Sequence, residues 1–164
     1  MMAAQVVEIG LEDRIGRSVS TMSSRSIYDL LPHVADAAQL WLDDCAANKL
    51  DVLITCTYRS PEEQDELFKI GRTKPGRIVT NARAWESWHQ YRRAIDFVPV
   101  RAGKPVWGTL GDDWALWEAI GQLAEARGFE WAARWREMRE YAHIQITGGL
   151  TIAEARDQVF GKCG

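Results

Sequence analysis

The sequence predicts an α+β fold in a single domain, on three observations. The chain has 164 residues, 46% hydrophobic and 26% charged, the size and balance of one ordered globular unit. Segments of helical periodicity with recognisable caps are mixed with short runs rich in β-branched residues. The two kinds do not alternate in the regular βαβ order of a parallel sheet, and no repeat or low-complexity tract intervenes.

Taken in order, residues 1–25 show no clean period and end in the polar run SVSTMSSRS, which reads as an N-terminal arm ahead of a domain over 26–164. From Pro32, suited to a first helical position, Val34, Ala38, Trp41 and Cys45 recur at helical spacing to about Asn48 and predict a core helix. The run 51–57, DVLITCT, predicts a short buried strand. Ser60 as cap, Pro61 and Glu63 form a capping box for a helix to about Ile70, stopped by Gly71, so Arg59 sits where a strand hands over to a helix. Residues 71–88 have no sustained period and predict a long loop, a feature usually functional or disordered in a compact domain. AIDFVPV, 94–100, predicts a second strand. Asp112 or Asp113 is placed to cap a helix bearing Leu116, Trp117, Ile120, Leu123 and Ala124 on one face and ended by Gly128. In a strand around His143, His143 and Gln145 share one face while Ile144 and Ile146 share the other. Thr151 and Glu154 form a second capping box for a terminal helix that turns Ile152, Ala155 and Val159 inward and ends at Gly161.

Composition excludes several function classes. The formal charge is −3, and no strongly basic stripe of the kind that binds nucleic acid occurs. The longest run free of Asp, Glu, Lys and Arg is the thirteen residues from Tyr141 to Ala153, too short for a membrane-spanning helix, so no membrane insertion is expected. The N-terminus lacks the basic start and apolar run of a secretory signal, which predicts a protein that is cytoplasmic on synthesis. Three cysteines, Cys45, Cys56 and Cys163, fit reduced thiols better than a disulfide framework. Seven of the eight tryptophans lie between Trp85 and Trp135, which suits either large core residues or a groove for sugars or peptides.

Neither a phosphate-binding loop, nor GxSxG, nor HExxH occurs. Of the three histidines, His33 has no acidic or thiol neighbour at ligand spacing. His89 is followed seven residues later by Asp96, at the start of an apolar strand where an unpaired carboxylate is costly. Two readings satisfy Asp96: pairing with Arg92 or Arg93, or ligation, with His89 and His143, of a catalytic zinc whose fourth position holds water.

The segment SWHQYRRAID, 87–96, resembles the S-x-H-x-x-G-x-A-x-D signature of the zinc D,D-carboxypeptidase and L-alanyl-D-glutamate endopeptidase family, which includes many phage endolysins. Ser87, His89, Ala94 and Asp96 match it. GFEWAARWREMREYAHIQI, 128–146, resembles the family's second block, a Trp-rich turn leading to an acidic residue three positions before the last histidine. Upstream, ITCTYRSPEEQ, 54–64, resembles its strand ending in Tyr-Arg-Ser. The resemblance implies a small antiparallel sheet flanked by helices, of the Hedgehog/DD-peptidase type. It also implies that His89, Asp96 and His143 bind Zn2+, that Glu140 is the general base and acid, and that Arg59 binds a substrate carboxylate or carbonyl. Ser87 either touches substrate or fixes the loop.

The chain departs from the pattern at Arg92, where the family has Gly, which would be strained if that position needs positive φ. Ala132-Ala133 replaces a Gly-Gly, Ala142 replaces a Pro, and Glu140 stands where the endopeptidase branch usually has Asp. The implied function is a monomeric zinc peptidase cutting the stem peptide of bacterial peptidoglycan between L-Ala and D-Glu, an endolysin reaching the wall through a membrane pore. The alternatives are a D-alanyl-D-alanine carboxypeptidase and a catalytically silent wall-binding or structural zinc module.

Overall fold

The computed structural model describes residues 23–137 and 139–161. The expected arm over 1–25 therefore lies almost wholly outside the described residues, as does Cys163; of the arm's end, Ser24 bonds the chain leaving the first strand, through the Thr57 and Tyr58 backbones.

Helix α1 spans Pro32–Ala47 and buries Val34, Ala38, Trp41 and Cys45, the four positions its periodicity selects. Strand β1, Asp51–Cys56, pairs antiparallel with β2, Ala94–Arg101. Between them α2, Pro61–Lys69, starts on Ser60, whose side chain accepts the Glu63 amide. A short hairpin strand β3, Lys104–Pro105, follows β2, then α3, Gly111–Ala126, β4, Glu130–Trp131, and β5, His143–Gln145. Helix α4, Ile152–Phe160, opens on the complete Thr151–Glu154 capping box. The antiparallel sheet runs β1-β2-β5-β4, with β3 also on β2.

Helices α1 and α3 close one face of this sheet. Trp41 meets the Phe97 ring edge-on at 5.3 Å and donates its indole N–H to the Ile120 carbonyl at 3.1 Å, tying the helices to each other and to β2. Ile95, Phe97 and Ile144 fill the core beneath them and are fully buried. Because strand side chains alternate, Asp96, His143 and Gln145 face away from the helices, and the cross-strand pairs Asp96–His143 and Cys56–Asp96 gather their side chains.

Several elements differ from expectation. Strand β1 is an edge strand with Leu53 exposed, not a buried one; only one neighbour covers it. Helix α3 starts a residue before Asp112 with no side-chain cap, and Asp113 instead pairs with Arg101 at 2.7 Å. Val159 is exposed, because only Ala155 of α4 is buried. Arg92 has φ of 58°, the positive value at which a β-carbon is strained, and its guanidinium is anchored to the Asp29 carbonyl at 2.6 Å and over the Tyr58 ring at 4.3 Å. Among the described residues, no helix is long and apolar enough to cross a membrane.

Candidate metal centre and its cleft

His89 sits in the turn ahead of β2, Asp96 on β2 and His143 at the start of β5, and the sheet brings the three together. Asp96 Oδ1 lies 3.2 Å from His89 Nε2 and 3.0 Å from His143 Nδ1. Two donors bound to one tetrahedral ion at zinc distances stand about 3.3 Å apart, so both spacings fit a shared ion. The remaining ring nitrogens are engaged elsewhere. His89 Nδ1 faces the Thr57 carbonyl at 2.7 Å, and His143 Nε2 faces Gln145 Oε1 at 2.9 Å. Since carbonyl oxygens only accept, both of those nitrogens carry a hydrogen, and the nitrogens facing Asp96 are the ones that would present lone pairs to a metal once it displaces a proton there.

Charge leads to the same requirement. Burial alone would raise the Asp96 pKa, yet the His89 and His143 rings outweigh it and hold the carboxyl well below the usual carboxylate range. Burial opposes charge on His89, but Asp96, with Cys56 behind it, holds the ring up to about 10. A proton thus occupies the pocket where a cation would neutralise the carboxylate, and the donor set of two imidazoles and one carboxylate suits zinc. Cys56, together with His89 and Asp96, offers a second set of donor atoms. Its Sγ lies 3.7 Å from His89 Nδ1, the nitrogen already bonded to Thr57, and not at Nε2, the nitrogen that faces Asp96.

The three residues lie in a cleft of about 700 Å³ lined also by Arg59, Ser87, Trp88, Trp135 and Glu140. One wall is the loop after α2. Fully buried Gln64 holds it, donating to Thr80 Oγ1 at 3.2 Å and the Ala82 carbonyl at 2.8 Å. The other wall is formed by Trp135, Glu140, Tyr141 and Ala142. Glu140 is exposed on it, three residues before His143, whose amide bonds the Glu140 carbonyl at 3.4 Å. Arg59 is not an open fork: Nη1 donates to Gln64 Oε1 at 3.1 Å and Nη2 to Asp96 Oδ2 at 3.2 Å, while its buried Nε has no partner. Ser87 lines the cleft and accepts the His89 amide at 3.4 Å, so it also shapes the turn bearing His89. His33 lies on exposed α1 surface, away from the cleft lining.

Sequence reasoning gave no site role to Gln64, Gln90 or Gln145. Amides carry no charge pattern, and their importance comes from burial: Gln64 Oε1 accepts from both Arg59 and Gln90 Nε2, the latter at 3.4 Å.

Known proteins resemble the chain in sequence and in fold. The D-alanyl-D-alanine carboxypeptidase family model matches residues 80–146, the stretch holding all three candidate donors and Glu140. The peptidoglycan L-alanyl-D-glutamate endopeptidase CwlK of Bacillus subtilis (strain 168) is 42% identical over 124 residues, covering 72% of this chain and 74% of that protein. The L-alanyl-D-glutamate peptidase of Listeria phage A118 is 27% identical over 124 residues, covering 76% of this chain and 40% of that protein. The crystal structure of the L-Ala D-Glu endopeptidase ChiX of Serratia marcescens shares the fold, with TM-score 0.57 and 19% identity over 77% of this chain and 89% of that one. The α+β architecture with its small antiparallel sheet is therefore that of known peptidases, and the chain belongs to the family of D-alanyl-D-alanine carboxypeptidases and L-alanyl-D-glutamate endopeptidases.

Proposed function

We propose that the protein is a zinc-dependent peptidoglycan peptidase that cleaves the stem peptide between L-Ala and D-Glu. The observation that carries this reading is the convergence of His89 Nε2 and His143 Nδ1 on Asp96 Oδ1, in a cleft that Glu140 also lines. The 42% identity to an endopeptidase of that specificity supports the bond.

In this reading His89, Asp96 and His143 hold the ion. Zinc so held would lower the pKa of a bound water to about 7 and polarise the scissile carbonyl. Glu140 takes the proton from the attacking water and hands it to the leaving amine, a role its exposed position on the cleft wall leaves it free to fill. Arg59 orients Asp96 through Oδ2, leaving Oδ1 for the metal side, and brings positive charge to the cleft. A substrate carboxylate or carbonyl meets Arg59 by replacing one of its present contacts. Ser87 holds the His89 turn and lies within reach of substrate along the cleft.

The similarity to a phage peptidase supports an endolysin role, in which the protein waits in the cytoplasm as a monomer and reaches the wall through a membrane pore. We assign the peptidase domain to 26–164, with residues 1–25 as an arm. A second reading, D-alanyl-D-alanine carboxypeptidase, has the family model's description in its favour. Digestion of purified peptidoglycan with the zinc-loaded protein, followed by mass spectrometry, decides between them. Stem peptides beginning with D-Glu, with falling turbidity of wall suspensions, are expected; free D-alanine as sole product would assign the carboxypeptidase reaction.

A further inference from the structure

We infer that Gln145 and Glu130 are positioning residues that fix which nitrogen of His143 carries its hydrogen, and thereby keep Nδ1 free to ligate. The inference rests on the metal-centre reading above. The two candidate histidines are held differently. His89 Nδ1 donates to a backbone carbonyl, that of Thr57, which admits one polarity only. His143 Nε2 faces a side-chain amide, which by itself has two orientations. With its oxygen toward the ring, the amide selects the hydrogen on Nε2; with its nitrogen toward the ring, it selects the hydrogen on Nδ1 and blocks ligation there.

The residues beyond the amide remove this choice. Gln145 Nε2 lies 3.2 Å from Glu130 Oε2, and an ionised carboxylate only accepts, so the amide nitrogen must point at Glu130 and the oxygen at His143. Glu130 is itself held by the Thr147 hydroxyl, which donates to Oε1 at 2.6 Å while accepting the Gly149 amide at 3.2 Å. Donation thus converges on the Glu130 carboxylate from both sides, from Gly149 through Thr147 on one and from His143 through Gln145 on the other. Pairing of Glu130 with Gln145 across β4 and β5 sets the contact, and Gln145 is buried beside the ring. Such outer partners raise ligand basicity as well as orienting it.

The test measures zinc dissociation constants by chelator competition for wild type, Gln145→Leu and Glu130→Gln, with nitrogen-15 spectra of His143 in the zinc-loaded proteins. Gln145→Leu is expected to weaken zinc binding on the order of ten- to a hundredfold. Glu130→Gln, nearly isosteric and at an exposed position, supplies an amide that no longer dictates the orientation of Gln145. It is expected to weaken binding less, and to add to the zinc-ligated, Nε2–H spectrum of His143 a second set of signals from rings whose Nδ1 carries hydrogen and does not ligate, a signature that a purely structural role would not move. Unchanged dissociation constants in a folded Glu130→Gln, or a zinc-loaded wild type in which His143 Nδ1 carries hydrogen, would overturn the inference; this variant decides alone if Gln145→Leu does not fold. Failure of the underlying reading is distinguishable: wild type would bind no stoichiometric zinc, or His143→Ala would retain it fully.

Discussion

Glu140 and the three candidate metal donors are held by different means, and substitutions should separate their roles. Asp96 and His143 are fixed by strand pairing and His89 by Thr57, whereas the Glu140 side chain projects from an exposed stretch between a 3-10 turn and β5. Glu140→Gln, similar in shape but unable to take a proton, should keep zinc at one per chain and lose a hundred- to ten-thousand-fold in kcat, read by peptide hydrolysis and elemental analysis. His143→Ala should instead lose stoichiometric zinc. Arg59→Lys offers one compact ammonium where Gln64 and Asp96 take two arms of a planar fork. Losing a charge-assisted hydrogen bond should lower kcat/KM about tenfold or more, with zinc content unchanged. These residues were legible because His, Asp and Glu in ordered blocks carry chemistry in their types. Gln145 and Glu130 were not, because their meaning depends on pairing with a two-residue strand, Glu130–Trp131, too short to leave a periodic signal.

Elements with strong local signals were read correctly: α1 from its buried spacing, α4 from its capping box and β2 from its apolar run. The hairpin strand β3 was missed for its length, and β1 was given too much burial because β-branched composition does not distinguish edge from centre. Packing between elements gives two predictions. In α3, a β-carbon on Gly121 would come within 2.3 Å of the Trp131 ring, so Gly121→Ala should destabilise by about 1–3 kcal/mol in denaturant unfolding despite the better helix propensity of alanine. In the turn before β2, Arg92 combines a left-handed backbone, costing about 1–2 kcal/mol, with a hydrogen bond and a ring contact that offset it. Arg92→Ala keeps the strain and loses the contacts, whereas Arg92→Gly loses both. Alanine should therefore give the lower thermal midpoint of the two.

At the scale of the whole molecule, the fold class was legible because helix and strand signals were mixed without alternation, while the cleft was not: its walls are a loop and an irregular stretch, positioned by Gln64 and by β5. The candidate donors lie at positions 89, 96 and 143, far enough apart in sequence that an unfolded chain has no reason to bring their atoms within reach of one ion. The folded sheet does so through one cross-strand pair and one turn. Under the proposed function, folding and metal occupancy are linked by mass action, and free zinc is expected to stabilise the native state alone. At a free concentration a hundred times the dissociation constant this linkage contributes about 2.7 kcal/mol. Calorimetric midpoints should rise with the logarithm of free zinc and fall to a constant floor under chelation, so that the melting curve itself becomes a readout of metal affinity.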